Sequence, residues 1–283
     1  MANNIALHQA YLKQLDEVYM ADSKSAVLDT EVINSALEGK KFIVDKMELS
    51  GLANYDRNTG YVQGDVTLTQ EELDPNYDRG RKFSVDTMDD LETGYIAFGK
   101  LGAEFERTKV IPEVDAFRFA NYATNAGTKA EGALTAENIE SAIDTAIASL
   151  TNSEVPETDR YLFVTPSVYG ALKQALPRRF SSEQVVNRNI TTFDTMPIIV
   201  VPEGRFNTTI ELTANGYSAT GNKINFLLVH KGAVAQFAKH KASNVISPED
   251  NQFADAYILK YRHYGLSQVY ANKTAGIYAH TQA

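Results

Sequence analysis

Histidines and carboxylates are the side chains of this sequence that could take part in catalysis or metal binding. No two histidines form a His-Glu-x-x-His pattern, and none stands beside a carboxylate at the spacing that metal ligands require. We therefore predict ordinary surface or interface histidines and no metal site. The histidines are His8, His230, His240, His263 and His280.

A short acidic run consists of Asp86, Asp89, Asp90 and Glu92. It lacks the spacing and the central glycine of a calcium-binding loop, and its charges suit the start of a helix. The sequence also has no phosphate-binding loop, no dinucleotide-binding fingerprint and no Gly-x-Ser-x-Gly nucleophile elbow. We predict no catalytic residue, no cofactor and no enzymatic activity.

Basic and aromatic residues are interleaved between Lys260 and Tyr264, as they are in some nucleic-acid-binding proteins. A strand with one apolar and one polar face explains the pattern more simply. The whole chain has 27 basic and 36 acidic residues, a formal charge of -9. Nonspecific DNA-binding proteins instead concentrate Lys and Arg on one face. The acidic balance argues against direct DNA affinity and is compatible with a container that holds DNA without adhering to it.

Signals for secretion and membrane insertion are missing from the sequence. Its first 16 residues have no basic segment followed by an apolar run, and no stretch approaches the roughly 20 apolar residues of a membrane helix. The chain has no cysteine, which excludes disulfides, iron–sulfur clusters and thiolate zinc sites. We expect a soluble protein made in the cytoplasm, in which the glycosylation pattern at Asn207 is not used.

Residues 41–88 have the pattern of a long two-stranded ribbon. Residues 42–47 and 66–69 alternate like strands, and turn-forming residues are dense at 55–60 and at 74–80. The ribbon has too few apolar residues to fill a core, and an isolated hairpin is marginally stable in water. The ribbon therefore needs a surface supplied by a neighbouring subunit.

Helical spacing is present near the start of the chain and again after residue 90. Between Ile5 and Tyr19 it predicts a short amphipathic helix, which either packs on its own domain or docks as an arm onto a neighbour. A second helical pattern runs through Glu106. Pro112 then either separates it from a following helix or kinks one long helix. Residues 127–132 are predicted to be a flexible break and a domain boundary.

The remaining residues predict an α+β fold in which helices alternate with scattered strands. Thr135 is the predicted N-cap of a helix with an apolar stripe, and Pro166 starts a helix that runs through Leu172 and Leu176. The stripe consists of Ile139, Ala142, Ile143, Ala146, Ile147 and Leu150. Strands are predicted at residues 161–164, 198–201, 224–230, 233–237, 257–261, 266–270 and 277–279.

Three segments in this order resemble the major capsid protein family of tailed bacteriophages, whose fold is also used by encapsulins. Residues 54–62 and 78–83 resemble the extended loop of that family. The run 105–119, Phe-Glu-Arg-Thr-Lys-Val-Ile-Pro-Glu-Val-Asp-Ala-Phe-Arg-Phe, resembles its spine helix. Residues 261–278 resemble its closing peripheral-domain strands. The likeness extends from about residue 40 to the end of the chain.

The resemblance implies an α+β capsid fold with an N-terminal arm at residues 1–40 and an extended β-ribbon loop at residues 41–88. A peripheral domain with a long spine helix would comprise residues 89–130 and 221–283, and an axial domain would comprise residues 131–220. Subunits would form hexamers and pentamers that close into an icosahedral shell around double-stranded DNA. A separate scaffolding protein and a portal are the expected partners, and the virion is the expected location.

The same resemblance implies contacts between subunits through the ribbon and the helix that follows it. Glu104, Glu106 and Arg107 are either ordinary helix-surface charges or partners of arginines from a neighbouring ribbon. The alternative function is the shell of an encapsulin-like compartment, and an unrelated enzyme is a third reading. The predicted contact residues are Tyr55, Arg57, Tyr61, Arg79, Arg81, Phe83, Glu104, Glu106 and Arg107.

Overall fold

The computed structural model of the chain describes residues 22–30, 42–92, 100–175 and 189–282. The predicted N-terminal helix lies outside these residues, as does the end of the predicted helix at Leu176. The described helices are α1 (Thr87–Glu92), α2 (Leu101–Phe105), α3 (Ile111–Thr124), α4 (Ile139–Asn152) and α5 (Pro166–Ala175), with a π-helical turn at Glu106–Val110. Short 3-10 helices include Ala26–Leu28 and Glu203–Arg205.

Thirteen strands are present in the described residues. They are β1 (Phe42–Leu49), β2 (Val66–Leu73), β3 (Tyr77–Asp86), β4 (Thr128–Glu131), β5 (Arg160–Val164), β6 (Thr192–Phe193), β7 (Met196–Val200), β8 (Ile210–Thr213), β9 (Gly216–Ala219), β10 (Ile224–His230), β11 (Val234–Ile246), β12 (Ala256–Val269) and β13 (Ile277–Thr281). They form a six-stranded sheet, a three-stranded sheet and two hairpins.

The six-stranded sheet has the order β4-β13-β10-β5-β7-β6 and is covered by helices on both faces. Alternate side chains of β10 point to opposite faces because the side-chain period of a strand is two residues. Phe226 and Leu228 pack in one cluster with α4 and α5, whereas Leu227 and Val229 pack in the other with α3. The uninterrupted apolar run of β10 is therefore buried on both sides.

The predicted stripe of α4 forms the helical side of the first cluster. Ile139, Ile143, Ala146 and Leu150 are fully buried, and Ala142 and Ile147 flank them. The helix itself begins at Ile139, later than the predicted cap at Thr135 implies. Its first turn is preceded by a tight turn, in which the carbonyl of Thr135 accepts a hydrogen bond from the N–H of Ile139.

The three-stranded sheet has the order β11-β12-β3, and all its pairs are antiparallel. One face packs against α2, where Gly102 lies against Leu259 and the rings of Phe105 and Tyr261 are 5.7 Å apart. Residues 257–261 and 266–270, predicted as two strands, belong to the single long strand β12. The chain is helical without a break from α2 through the π-helical turn into α3.

Pro112 does not end this helix, so the predicted separation into two helices is wrong and a single long helix is observed. The proline lies in the first turn of α3, immediately after the π-helical turn. In that turn the N–H of Ile111 donates to the carbonyl of Glu106, five residues earlier. A proline ring crowds the carbonyl four residues before it, and wider π-helical hydrogen bonding removes that conflict.

Two further predictions were wrong in their local structure. Residues 127–132 are not a flexible break, because Thr128–Glu131 forms β4, which pairs in parallel with β13. The turn predicted at residues 74–80 is shorter, because β3 begins at Tyr77 and pairs with β12 rather than with the ribbon. The ribbon consists of β1 and β2 alone. The predicted domain boundary at residue 221 lies between β5 and β10, which pair in one sheet, and the domain division itself stays a prediction.

Phe119 should be one of the residues on which the core depends most. Its ring is fully buried and lies 5.1 Å from the rings of both Phe163 and Phe206. Phe119→Ala should lower the free energy of unfolding by about 3–5 kcal/mol, because it removes apolar contacts and leaves a cavity. Phe253→Ala is the control, since Phe253 is 95% exposed and its loss should cost less than about 0.5 kcal/mol. Equal effects of the two changes in urea unfolding would contradict this packing.

Candidate assembly surface

The β1–β2 ribbon is anchored at one end and exposed along its length. At its base, Phe42 and Leu73 are buried with Ala235 and Leu266 of the three-stranded sheet. The ring of Phe42 lies 4.7 Å from that of Phe237 in an edge-to-face arrangement. The ribbon therefore starts from a small apolar anchor and continues into solvent.

One face of this ribbon carries apolar side chains that the described residues leave uncovered. Met47 lies opposite Leu68 and Leu49 lies opposite Val66, and all four side chains are 60–66% exposed. On the opposite face, Phe42, Val44 and Leu73 pack on the subunit at the base of the ribbon. Beside them Lys46 and Glu71 form a largely covered ion pair of 2.7 Å. One face of the ribbon therefore packs on the subunit at its base, while the apolar side chains of the other face have no apolar partner among the described residues.

The loop that closes the ribbon contains three of the predicted contact residues, Tyr55, Arg57 and Tyr61. The N–H of Asn58 donates to the carboxylate of Asp56 at 2.8 Å, and the chain reverses at Gly60, whose φ of +81° favours glycine. The rings of Tyr55 and Tyr61 lie 4.9 Å apart, and both remain exposed.

The predicted residues Arg79, Arg81 and Phe83 lie on β3. Arg79 donates to the carboxylate of Glu113 at 2.8 Å and to the carbonyl of Thr213 at 2.7 Å. Arg81 donates to the carbonyl of Ala214 at 2.7 Å. Alternate residues of β3 thereby hold the β8–β9 hairpin. In this chain both arginines have partners from the same subunit.

Glu104, Glu106 and Arg107 lie on α2 and the π-helical turn. Arg107 forms an ion pair of 2.7 Å with Glu104, three residues earlier, and Glu106 forms one with Lys241 of β11. The structure thus brings the predicted charges of the helix together within one subunit. No hydrogen bond or ion pair joins them to Arg79 or Arg81 of their own chain.

A cavity of about 710 Å³ separates β3, α2 and the β8–β9 hairpin. Its apolar lining includes Phe83, Phe105 and Tyr261, and its polar lining includes Arg79 and Arg81. The hydroxyl of Tyr261 is buried there and has no hydrogen-bond partner among the described residues. Burial also raises the pKa of this hydroxyl, so that it stays protonated and able to donate.

Asp115 of α3 is a buried anchoring residue that the sequence analysis missed. Its fully buried carboxylate accepts hydrogen bonds from Ser23 Oγ at 2.8 Å, from the N–H of Lys24 at 2.9 Å and from Ser25 Oγ at 2.7 Å. Arg205 adds an ion pair of 3.1 Å. This carboxylate fixes the segment at residues 22–30 to the core. A charged residue between the apolar Val114 and Ala116 was the available signal.

Two of the histidines differ from the prediction of surface or interface positions. His263 and His280 are buried, while His240 is exposed, and His8 lies outside the described residues. The ring of His263 packs edge-to-face on Tyr77, with centroids 5.4 Å apart. Within the described part of the chain, no group of three or more potential ligands could hold a metal ion, and no helix is long and apolar enough to cross a membrane.

Comparisons with known proteins find likeness in structure only. No protein-family model matches the sequence, and no curated protein matches it. A chain of the capsid structure of the cyanophage P-SCSP1u is similar over 100% of this chain and 97% of its own, with a TM-score of 0.74 and 14% identity. A chain of the mature capsid of bacteriophage PhiM1 is similar over 99% of this chain and 92% of its own, with a TM-score of 0.74 and 13% identity.

A chain of the capsid of the Myoviridae phage XM1 is similar over the full length of both chains, with a TM-score of 0.64 and 12% identity. The described helices and sheets thus have the architecture of chains in phage capsids. The α+β capsid fold implied by the sequence resemblance is confirmed.

Replacing the buried carboxylate of α3 should destabilise the whole subunit. Asp115→Asn should lower the free energy of unfolding by about 3–5 kcal/mol, because Arg205 is left buried without its ion pair. Asp144→Asn, on the exposed face of α4, should change it by less than about 0.5 kcal/mol. Urea unfolding measures both variants. Wild-type stability of Asp115→Asn would contradict an anchoring role for this carboxylate.

His263 should make the subunit sensitive to mild acid. Burial, followed by the nearby cations Arg118 and Lys241, lowers its pKa to about 4, although Glu106 and Asp29 oppose the shift. The unfolded chain, in which the pKa is about 6.5, binds this proton more readily. Stability contributed by the neutral ring is therefore complete above pH 6.5 and is lost as the pH falls toward 4, by up to about 3 kcal/mol.

The variant His263→Phe should lose this part of the acid sensitivity, because phenylalanine keeps the ring contact with Tyr77 and cannot be protonated. The measurement is urea unfolding at pH 7 and at about pH 4.5. His240→Asn, at an exposed position, should retain the wild-type difference between the two pH values. If the free energy of unfolding of His263→Phe differs between the two pH values as much as that of the wild type, other groups cause the acid sensitivity.

Proposed function

We propose that this chain is the structural subunit of a phage capsid shell and that its principal partner is a second copy of itself. The observation that carries the proposal is the exposed apolar face of the ribbon on a subunit with a capsid fold. Met47, Leu49, Val66 and Leu68 form a continuous apolar strip across two strands. Monomeric proteins seldom leave such strips on a projecting hairpin.

A shell supplies the missing surface by repetition. Each subunit covers the ribbon of one neighbour and has its own ribbon covered by another. Individually modest contacts then add up to a large collective stability when the shell closes. Hexamers and pentamers around double-stranded DNA, a separate scaffolding protein and a portal complete the proposed assembly, which forms in the host cytoplasm and resides in the virion.

The predicted contact residues remain part of this proposal, with different roles for the two groups. Tyr55, Arg57 and Tyr61 lie in the exposed loop of the ribbon and are accessible to a neighbour. Arg79, Arg81, Phe83, Glu104, Glu106 and Arg107 surround or flank the cavity beside α2, and they form the receiving side of the contact. We propose that this side accepts apolar side chains of an adjacent subunit.

The proposed domains follow the sheets. The ribbon is the proposed extended loop, and the three-stranded sheet with α2 is the proposed core of the peripheral domain. The six-stranded sheet with α4 and α5 is the proposed axial domain, which moves β4, β10 and β13 out of the predicted peripheral domain. A structural role is proposed in place of an enzymatic one, because the fold is that of capsid chains. The same likeness makes an encapsulin-like compartment the less favoured alternative.

The apolar face of the ribbon should be required for shells and dispensable for folding. In the variant Met47→Lys with Leu68→Glu, the new charges face each other across the ribbon, so the hairpin should keep its pairing. We expect wild-type thermal unfolding and no closed particles by electron microscopy. The parent chain, expressed with its genomic neighbours, should give closed particles.

The matched control places the same two charges on the other face of the ribbon. Thr67→Lys lies opposite Glu48 and Thr69→Glu lies opposite Lys46, so the change is again neutral and again paired. This control should assemble normally. Normal particles from the Met47 and Leu68 variant would refute the role of the apolar face, and a parent chain that never forms shells or rings would refute the capsid function.

A further inference from the structure

The solvent face of the three-stranded sheet carries two lysines at one place. Lys82 of β3 lies directly opposite Lys260 of β12, and both are exposed. Directly opposed side chains on antiparallel strands have Cβ atoms about 5 Å apart, and like charges there destabilise the pairing. Neither lysine forms an ion pair with any of the described residues.

The neighbouring positions on this face extend the basic surface. Arg262 lies opposite Gly80, forms an ion pair of 2.6 Å with Asp78 and lies over the ring of Tyr264. A Cβ atom at residue 80 would lie 2.8 Å from the carbonyl oxygen of Tyr261, so glycine permits the close approach of the two strands. The exposed His240 lies opposite Tyr264 on the other side of β12.

Carboxylates on the same face do not neutralise the two lysines. Asp78 is paired with Arg262. Asp86 lies at the end of β3, four residues from Lys82, and accepts a hydrogen bond from the N–H of Met88 at 2.9 Å. The centre of the face is therefore locally positive in a chain whose formal charge is -9.

We propose that this face contacts the phosphate backbone of duplex DNA inside the shell, an inference that rests on the proposed capsid function. A phosphate near Lys82 and Lys260 would remove the repulsion that the folded sheet otherwise retains. The contact reads no sequence, because phosphates carry none. It is weak in one subunit and is repeated in every copy of the shell, so that the shell holds DNA by many reversible contacts.

An acidic protein segment is the competing occupant, and the chemistry of the face favours DNA. Protein interfaces have apolar or aromatic residues at their centre and are depleted in lysine there. The centre of this face has the opposite composition, with Lys82, Lys260, Gly80 and Asn244 on adjacent strands. Positively charged surfaces with few apolar anchors are typical of contacts to phosphate.

The test measures binding of a labelled duplex of random sequence to the unassembled, full-length subunit by fluorescence anisotropy, as a function of salt. The variant is Lys82→Gln with Lys260→Gln. The control, Lys109→Gln with Lys231→Gln, has the same loss of charge at two lysines that form no ion pair with any described residue. The salt slope is the steepness with which the logarithm of the binding constant falls with the logarithm of the salt concentration, and each lost phosphate contact lowers it by about 1. The slope should therefore fall by about 2 in the variant and stay unchanged in the control.

Thermal unfolding of the Lys82 and Lys260 variant should be unchanged or shifted upward, since the change removes a like-charge pair. Equal loss of DNA binding in the variant and the control would overturn the proposal, as would a wild-type subunit that does not bind the duplex at about 50 mM salt. If the variant binds poly-glutamate more weakly than the parent chain but binds the duplex equally well, the proposal is overturned and the face is assigned to an acidic protein. Electron microscopy of the variant reports shell formation separately, so a failed DNA contact and a failed capsid function give different results.

Discussion

The continuous helix from α2 to α3 is the element on which the arrangement of the two large sheets depends. Its first turn packs on the three-stranded sheet through Phe105, and its last turns pack on the six-stranded sheet through Phe119. Tyr122 also donates a hydrogen bond to Gln236 of β11 and accepts one from Ser267 of β12. One helix therefore makes apolar contacts to both sheets and polar contacts to the three-stranded sheet, and the π-helical turn allows it to pass Pro112 without a break.

The ribbon stands apart from this cooperative core. Phe42 and Leu73 anchor it, but Met47 and Leu68 further along contribute apolar surface that the subunit does not bury. This surface contributes little to the stability of the isolated subunit, because the hydrophobic contribution comes only from area removed from water. Stability of the subunit and exposure of the ribbon are thus physically separable. Under the proposed function, that separation would let the chain fold first and assemble later.

Local patterns predicted the parts of the fold that depend on neighbours in sequence. The α4 stripe and the apolar run of β10 needed only helical or strand periodicity. The pairing of β3 with β12 could not be predicted, because Asp78 and Arg262 are 184 residues apart and no local signal selects that partner over the ribbon. Asp115 was missed for the same reason, since its partners come from residues 22–30 and from Arg205.

Charge illustrates the limit of sequence arguments most clearly. The formal charge of -9 argued against contact with DNA, and the basic-aromatic pattern from Lys260 to Tyr264 was explained by a two-faced strand. The first statement describes the net charge of the whole chain and the second a single strand. A phosphate is instead attracted by all the charges within a Debye length of about 8–10 Å. The register of β3 against β12 decides which charges lie that close together, and it pairs Lys82 with Lys260. An acidic protein can therefore present a basic face wherever its pairing register separates its lysines from its carboxylates.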